Sequence, residues 1–130
     1  MADEQVLVVE DNEKSMKLFR DLLRATGYRT LEATSGEEAL ELAVAHAPDL
    51  VLMDVHLPGI DGVEALNRLR GDARTAAIPV LALTAQAMRG DRERFVGAGF
   101  DGYISKPVDI VELVATVKRS LQQRPPRSPP

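Results

Sequence analysis

Acidic side chains recur where this chain turns from apolar to polar. Val6-Leu7-Val8-Val9 runs into Glu10-Asp11, and Val51-Leu52-Met53 stops abruptly at Asp54. Two further strands end on groups of complementary chemistry: the apolar residues 78–83 close on Thr84, and residues 100–105, read as the last strand, close on Lys106. Taken singly, each residue is ordinary. An aspartate after a strand often caps a loop, a threonine is a good strand former, a strand-end lysine is usually solvated, and Glu10-Asp11 could complement a helix dipole. As a set they are harder to dismiss. Three carboxylates in one cleft persist at neutral pH only if a cation or protons neutralise them. A hard divalent ion is the natural answer, and Mg2+ suits two or three acids with no histidine or thiolate ligand. Asp54 is then the candidate reacting residue, an acceptor for a phosphoryl group that the Lys106 ammonium and the Thr84 hydroxyl would hold.

The elements that must position these groups are legible in the same runs. Continuous β-branched and aliphatic stretches read as strands buried on both faces of a parallel sheet. Between the first two strands, Asn12 caps a helix whose stripe is Met16, Phe19, Leu22 and Leu23, and Gly27 stops it. Leu18 lies at the edge of that stripe, where a partner could touch it. Residues 28–33 alternate and suit an edge strand. Ser35-Gly36-Glu37-Glu38 is a capping box that opens a second helix with Ala39, Leu40 and Ala43 inward, and Pro48 ends it. After the Pro58-Gly59 turn, Asp61 and Glu64 repeat the capping logic for a helix that buries Val63, Leu66 and Leu69 and stops near Gly71.

Residues 85–98 read as a loop and a polar, marginal helix, the expected mobile element. Asp109 caps a last helix with Ile110, Leu113, Val114, Val117 and Leu121 on one face and Val111 beside it. One domain is expected over residues 4–122, with 123–130 a proline-rich, disordered tail or the start of a linker. Five strands alternating with five helices imply a three-layer, doubly wound α/β domain with a five-stranded parallel sheet. The flavodoxin-like order 2-1-3-4-5 fits best, because it makes the ends of strands one and three neighbours at the switch point. Glu10, Asp11 and Asp54 then converge, with Thr84 and Lys106 beside them.

Composition narrows the function further. A net charge of -4 with no basic cluster interleaved with aromatics argues against nucleic-acid or anionic-membrane binding. Without cysteine there is no disulfide or thiolate metal site. No signal peptide or long apolar span is evident, so the cytoplasm is the expected location.

The quoted residues resemble the response-regulator receiver domains of two-component signalling. The resemblance is carried by Val9-Glu10-Asp11-Asn12, Leu52-Met53-Asp54, Leu57-Pro58-Gly59-Ile60-Asp61-Gly62, Ile78-Pro79-Val80, Leu83-Thr84-Ala85 and Tyr103-Ile104-Ser105-Lys106-Pro107. Within that family, Val9-Glu10-Asp11-Asn12-Glu13, Met88-Arg89-Gly90-Asp91 and Tyr103-Ile104-Ser105-Lys106-Pro107 are similar to single-domain regulators of the DivK type. The resemblance implies that Asp54 accepts a phosphoryl group from a histidine kinase or a histidine phosphotransfer protein. It implies Mg2+ held by Glu10, Asp11, Asp54 and the backbone carbonyl of His56. Thr84 and Lys106 would contact the acyl phosphate, and Tyr103 would turn inward when Thr84 moves. A cis bond before Pro107 is a family expectation as well. Many receivers carry aspartate where Glu10 stands, so its contact with the metal could run through water. The side chains of His56 and His46 read as exposed. Since no output segment follows the last helix, output is expected through an unidentified protein target or by passing the phosphoryl group onward. Leu18 and Val108 mark the expected kinase-docking edge.

Other classes share parts of this pattern. A flavin- or nucleotide-binding protein of the same fold needs a Gly- or Ser/Thr-rich phosphate loop after the first strand, where this chain has Glu10-Asp11-Asn12-Glu13. A phosphatase with an aspartate nucleophile generally has a second aspartate two residues on, where His56 stands. A receiver used as an unphosphorylated binding module keeps the fold and loses the chemistry.

Overall fold

In the computed structural model, residues 4–84, 97–106 and 108–123 are described. Five strands, β1 (Gln5–Val9), β2 (Arg29–Ala33), β3 (Leu50–Asp54), β4 (Val80–Thr84) and β5 (Gly102–Ser105), form one sheet. All neighbours pair in parallel and the order is β2-β1-β3-β4-β5, the doubly wound arrangement expected from the sequence. Four helices fall among the described residues: α1 (Glu13–Ala25), α2 (Gly36–His46), α3 (Gly62–Arg70) and α4 (Ile110–Gln123). Most of the polar segment expected between β4 and β5, the bond before Pro107 and the tail from residue 124 lie outside the described residues.

Side chains alternate across the pleat, so each central strand feeds two cores. Leu7, Val9, Val51, Met53, Val80 and Ala82 pack with Ala39 and Ala43 of α2 and Ala65, Leu66 and Leu69 of α3. Val6, Val8, Leu50, Leu52, Leu81 and Leu83 pack with Met16, Phe19 and Leu23 of α1 and Leu113, Val117 and Leu121 of α4. Every residue of β3 and β4 is buried. At about 2 kcal/mol per fully buried aliphatic side chain, these two strands anchor the sheet, and β2 and β5 close it. The three-layer fold follows from strands that are apolar on both faces.

Local signals set the helix ends. The side chains of Asn12, Ser35 and Asp61 accept from the backbone N–H groups of Ser15, Glu38 and Glu64, and Asp109 accepts from that of Glu112. The Ser35 box closes one residue early: Glu38 accepts from the N–H of Thr34 rather than from Ser35. Glu64 does not turn back at all and pairs with Arg68 along the helix. Gly27, at φ 103, lets α1 end in a Schellman turn, with Gly27 N–H on Arg24 O and Tyr28 N–H on Leu23 O. Helix α2 ends one residue before Pro48, on Ala47 at φ 45.

One expected core position differs. Ile110 is in phase with Leu113, Val117 and Leu121, yet it is 52% exposed, and Val111 is 78% exposed. Ile110 occupies the first turn of α4, where no neighbouring element among the described residues covers it. Leu18 stands 43% exposed on α1 and Leu22 is half-buried, the edge position expected for Leu18.

Candidate functional site

Glu10 and Asp11 follow directly on β1, Asp54 ends β3, Thr84 ends β4 and Lys106 follows β5, all at one edge of the sheet. Because β1 and β3 are neighbours, the two acidic ends meet. Carboxylate oxygens of Glu10, Asp11 and Asp54 lie within 4.8 Å of one another. Glu10 is 1% exposed and Asp54 5%, whereas Asp11 faces solvent.

Lys106 binds the buried pair together. Its Nζ donates to Glu10 Oε2 at 2.8 Å and to Asp54 Oδ2 at 3.1 Å. The remaining oxygens are held by backbone amides: Asn12 N–H reaches Glu10 Oε1 at 3.3 Å, and His56 N–H reaches Asp54 Oδ1 at 2.9 Å. Burial pushes the Glu10 carboxyl above its ordinary value; the Lys106 hydrogen bond opposes this and the Asp54 charge adds to it. Burial alone would lower the Lys106 ammonium, but its bonds to Glu10 and Asp54 outweigh that and raise it.

Three carboxylates and one ammonium leave a local deficit of positive charge. Oxygen donors on two adjacent strand ends, one of them solvent-facing, fit a hard divalent cation that keeps part of its water shell. The donor set contains no nitrogen or sulfur ligand, which disfavours softer metals.

Thr84 is buried at the end of β4, and its carbonyl accepts the Lys106 N–H at 2.7 Å. The lysine backbone is thus fastened to the threonine. Tyr103 pairs with Ala82 across β4 and β5 and is half-buried against the α2/α3 core. The side chain of His56 is exposed, as is that of His46.

A further participant is Gly62, quoted above only as part of a motif. A Cβ there would stand 2.6 Å from the Asp54 carbonyl oxygen and 2.8 Å from Val55 Cα, and Gly62 N–H bonds the Val55 carbonyl at 3.0 Å. Only glycine lets α3 start this close to the backbone that carries Asp54. The adjoining Asp61-Gly62 pair is a local signal for such a helix start, but the close approach itself is tertiary.

An α/β sheet of this order, with acids at the β1 and β3 ends and a threonine and lysine at the β4 and β5 ends, defines a flavodoxin-like domain built around an acidic cleft. Residues 6–118 match the response regulator receiver domain family, and the chain belongs to that family, the receivers of two-component signalling. Among similar proteins is the polar-differentiation response regulator DivK of Brucella ovis, 50% identical over 116 residues that span 89% of this chain and 94% of the relative. The receiver domain of a sensor histidine kinase from Pseudomonas aeruginosa, solved with a magnesium ion coordinated in its active site cleft, superposes with a TM-score of 0.86. It is 34% identical and covers 94% of this chain and all of its own. The chemotaxis response regulator CheY4 of Vibrio cholerae gives a TM-score of 0.85 at 27% identity, covering 92% of this chain and 99% of its own. No helix among the described residues is long and apolar enough to cross a membrane.

Proposed function

We propose that this receiver accepts a phosphoryl group on Asp54 from a histidine kinase or a histidine phosphotransfer protein, and that phosphorylation switches a protein-interaction surface. The observation that carries this reading is the Lys106 ammonium bridging Glu10 and Asp54, beside the solvent-facing Asp11. In the transfer, an Asp54 oxygen forms a bond to phosphorus as the donor's P–N bond breaks. The electron pair of that bond stays on the donor histidine nitrogen. Lys106 then meets the charge of the arriving phosphoryl group, and the Thr84 hydroxyl donates to one of its oxygens. Glu10, Asp11, Asp54 and the His56 carbonyl would hold Mg2+, which supplies charge neutralisation at the phosphoryl oxygens. Attack by water on phosphorus later breaks the bond to the Asp54 oxygen, releasing inorganic phosphate and returning the free carboxylate.

The protein in this reading catalyses only its own phosphorylation and dephosphorylation. Thr84 and Tyr103 form the switch: the added charge draws Thr84 toward the phosphoryl group, and Tyr103 repacks behind it. In this reading the receiver spans residues 4–122, which contain the family match over 6–118, with 123–130 outside it, and it works in the cytoplasm through an unidentified protein target. Intact mass after incubation with acetyl phosphate tests the chemistry. One phosphoryl group should be gained in Mg2+ and none in chelator or in Asp54→Asn; equal gain by Asp54→Asn would remove the assignment.

A further inference from the structure

Strand β5 is poorly specified by its own hydrophobic pattern. It has four residues, pairs with β4 alone, and only Ile104 is fully buried. Register is normally enforced by the side chains that must face the core, and a single buried residue enforces little. A slip of two residues would keep side chains on their faces while moving Lys106 by about 7 Å, beyond reach of Glu10 and Asp54.

A polar clamp sits at the other end of the strand. Asp101 N–H donates to the Val80 carbonyl at 2.8 Å, and Asp101 Oδ2 accepts the Val80 N–H at 2.7 Å, so the residue entering β5 grips the first residue of β4 from both sides. The same carboxylate oxygen takes Arg70 Nη2 at 2.8 Å. Arg70 also donates through Nη1 to the Ile78 carbonyl at 2.6 Å and the Ala76 carbonyl at 3.1 Å, and through Nη2 to the Gly99 carbonyl at 3.2 Å. One planar guanidinium therefore joins the last residue of α3 to the chain entering β4 and the chain entering β5. Lysine, a single point charge, cannot serve four acceptors in this fork. An isolated surface ion pair contributes little, but this one is a network on backbone groups with Asp101 oriented by Val80.

We propose that Arg70 and Asp101 are positioning residues for phosphoryl transfer, holding β5 in the register against β4 that delivers Lys106 to Glu10 and Asp54. The kinetic part rests on the reading of Asp54 as the phosphoacceptor; the register part does not. The clamp acts from the far end of the strand, away from the metal-ligand candidates on the β1 and β3 ends. Its loss should therefore separate two properties that general damage would lower together.

The test compares Arg70→Met, Asp101→Ala and the milder Asp101→Asn, which keeps an acceptor for Val80, at a temperature where circular dichroism shows each fully folded. Cross-strand NOEs between Ala82 and Tyr103 and between Thr84 and Ser105 report register without any chemistry. They should weaken in Arg70→Met and Asp101→Ala and be partly retained in Asp101→Asn. Phosphorylation by acetyl phosphate at saturating Mg2+ should slow about 10- to 100-fold with the Mg2+ affinity not reduced, the scale of loss expected from a misplaced catalytic group. Intact NOEs with a full rate would overturn the proposal, and so would rate and Mg2+ affinity falling in parallel. If the parent protein itself gained no phosphoryl group, the reading of Asp54 would fail, and the NOEs alone would decide whether the clamp sets the register.

Discussion

Replacing Lys106 with Met, which keeps the stem and removes the ammonium, should destabilise the metal-free protein. In the parent, Nζ lies 2.8 Å from Glu10 and 3.1 Å from Asp54, and the lysine side chain is 23% exposed. Removing one partner of a buried ion pair costs about 3–5 kcal/mol; the partly wet lysine lowers that to about 2–3 kcal/mol here. For a domain of this size the melting temperature should fall by about 6–12 °C in chelator. Adding Glu10→Gln to Lys106→Met removes the more buried of the two carboxylates left without their cation and should recover much of the loss, a coupling of about 2 kcal/mol.

The pH dependence gives the same cycle an independent check. Burial holds the folded Glu10 value above the ordinary 4.5. The folded state therefore binds that proton more tightly, a contribution complete below 4.5 and lost as pH rises through the folded value. Ionised Glu10 is thus a cost at neutral pH, and the advantage of Glu10→Gln over the parent in chelator should grow from pH 4.5 to 7. Thermal melts of the four proteins across that range suffice. A Lys106→Met protein as stable as its parent, or a loss that Glu10→Gln leaves untouched, would refute the electrostatic account of the cleft.

Other consequences are local. Gly62→Ala forces a Cβ against the Asp54 carbonyl at 2.6 Å and should cost about 2–3 kcal/mol in urea unfolding, with slower acetyl phosphate labelling even in the folded fraction. Ala47→Gly relieves the φ of 45 at the end of α2. It should stabilise by about 0.5 kcal/mol once the entropy of the unfolded glycine is deducted, read as a raised urea midpoint at unchanged slope. Leu18→Asp, on the exposed edge of α1, should slow transfer from a phosphohistidine protein while leaving acetyl phosphate labelling unchanged; equal rates from the protein donor would exclude this edge from docking.

The sheet order and the convergence of Glu10, Asp11 and Asp54 are legible in the sequence because each central strand is an apolar run that ends on a polar group, and period alone assigns both faces. Asn12, Asp61 and Asp109 are legible as caps because capping is decided within three residues. What the sequence leaves open depends on neighbours far along the chain. Lys106 can be read as a cation at a strand end, but its bridging of Glu10 and Asp54 requires the fold. Ile110 keeps the helical phase of the core stripe and is exposed because nothing described lies over the first turn of α4. Arg70 looks like a solvated residue in the last turn of α3, where a basic side chain complements the helix dipole, and only the folded chain brings Ile78, Gly99 and Asp101 around it. Gly62 reads as a helix start, and its closeness to Asp54 is invisible until α3 is placed.

The central claim is that Asp54 is the phosphoacceptor, and reductive trapping addresses it most directly. Borohydride converts an aspartyl phosphate to homoserine, so the protein labelled with acetyl phosphate and Mg2+ can be reduced, digested and sequenced by mass spectrometry. The account predicts homoserine at position 54 alone, and none without Mg2+. Homoserine at position 11 or at another aspartate, with residue 54 unmodified, would contradict it.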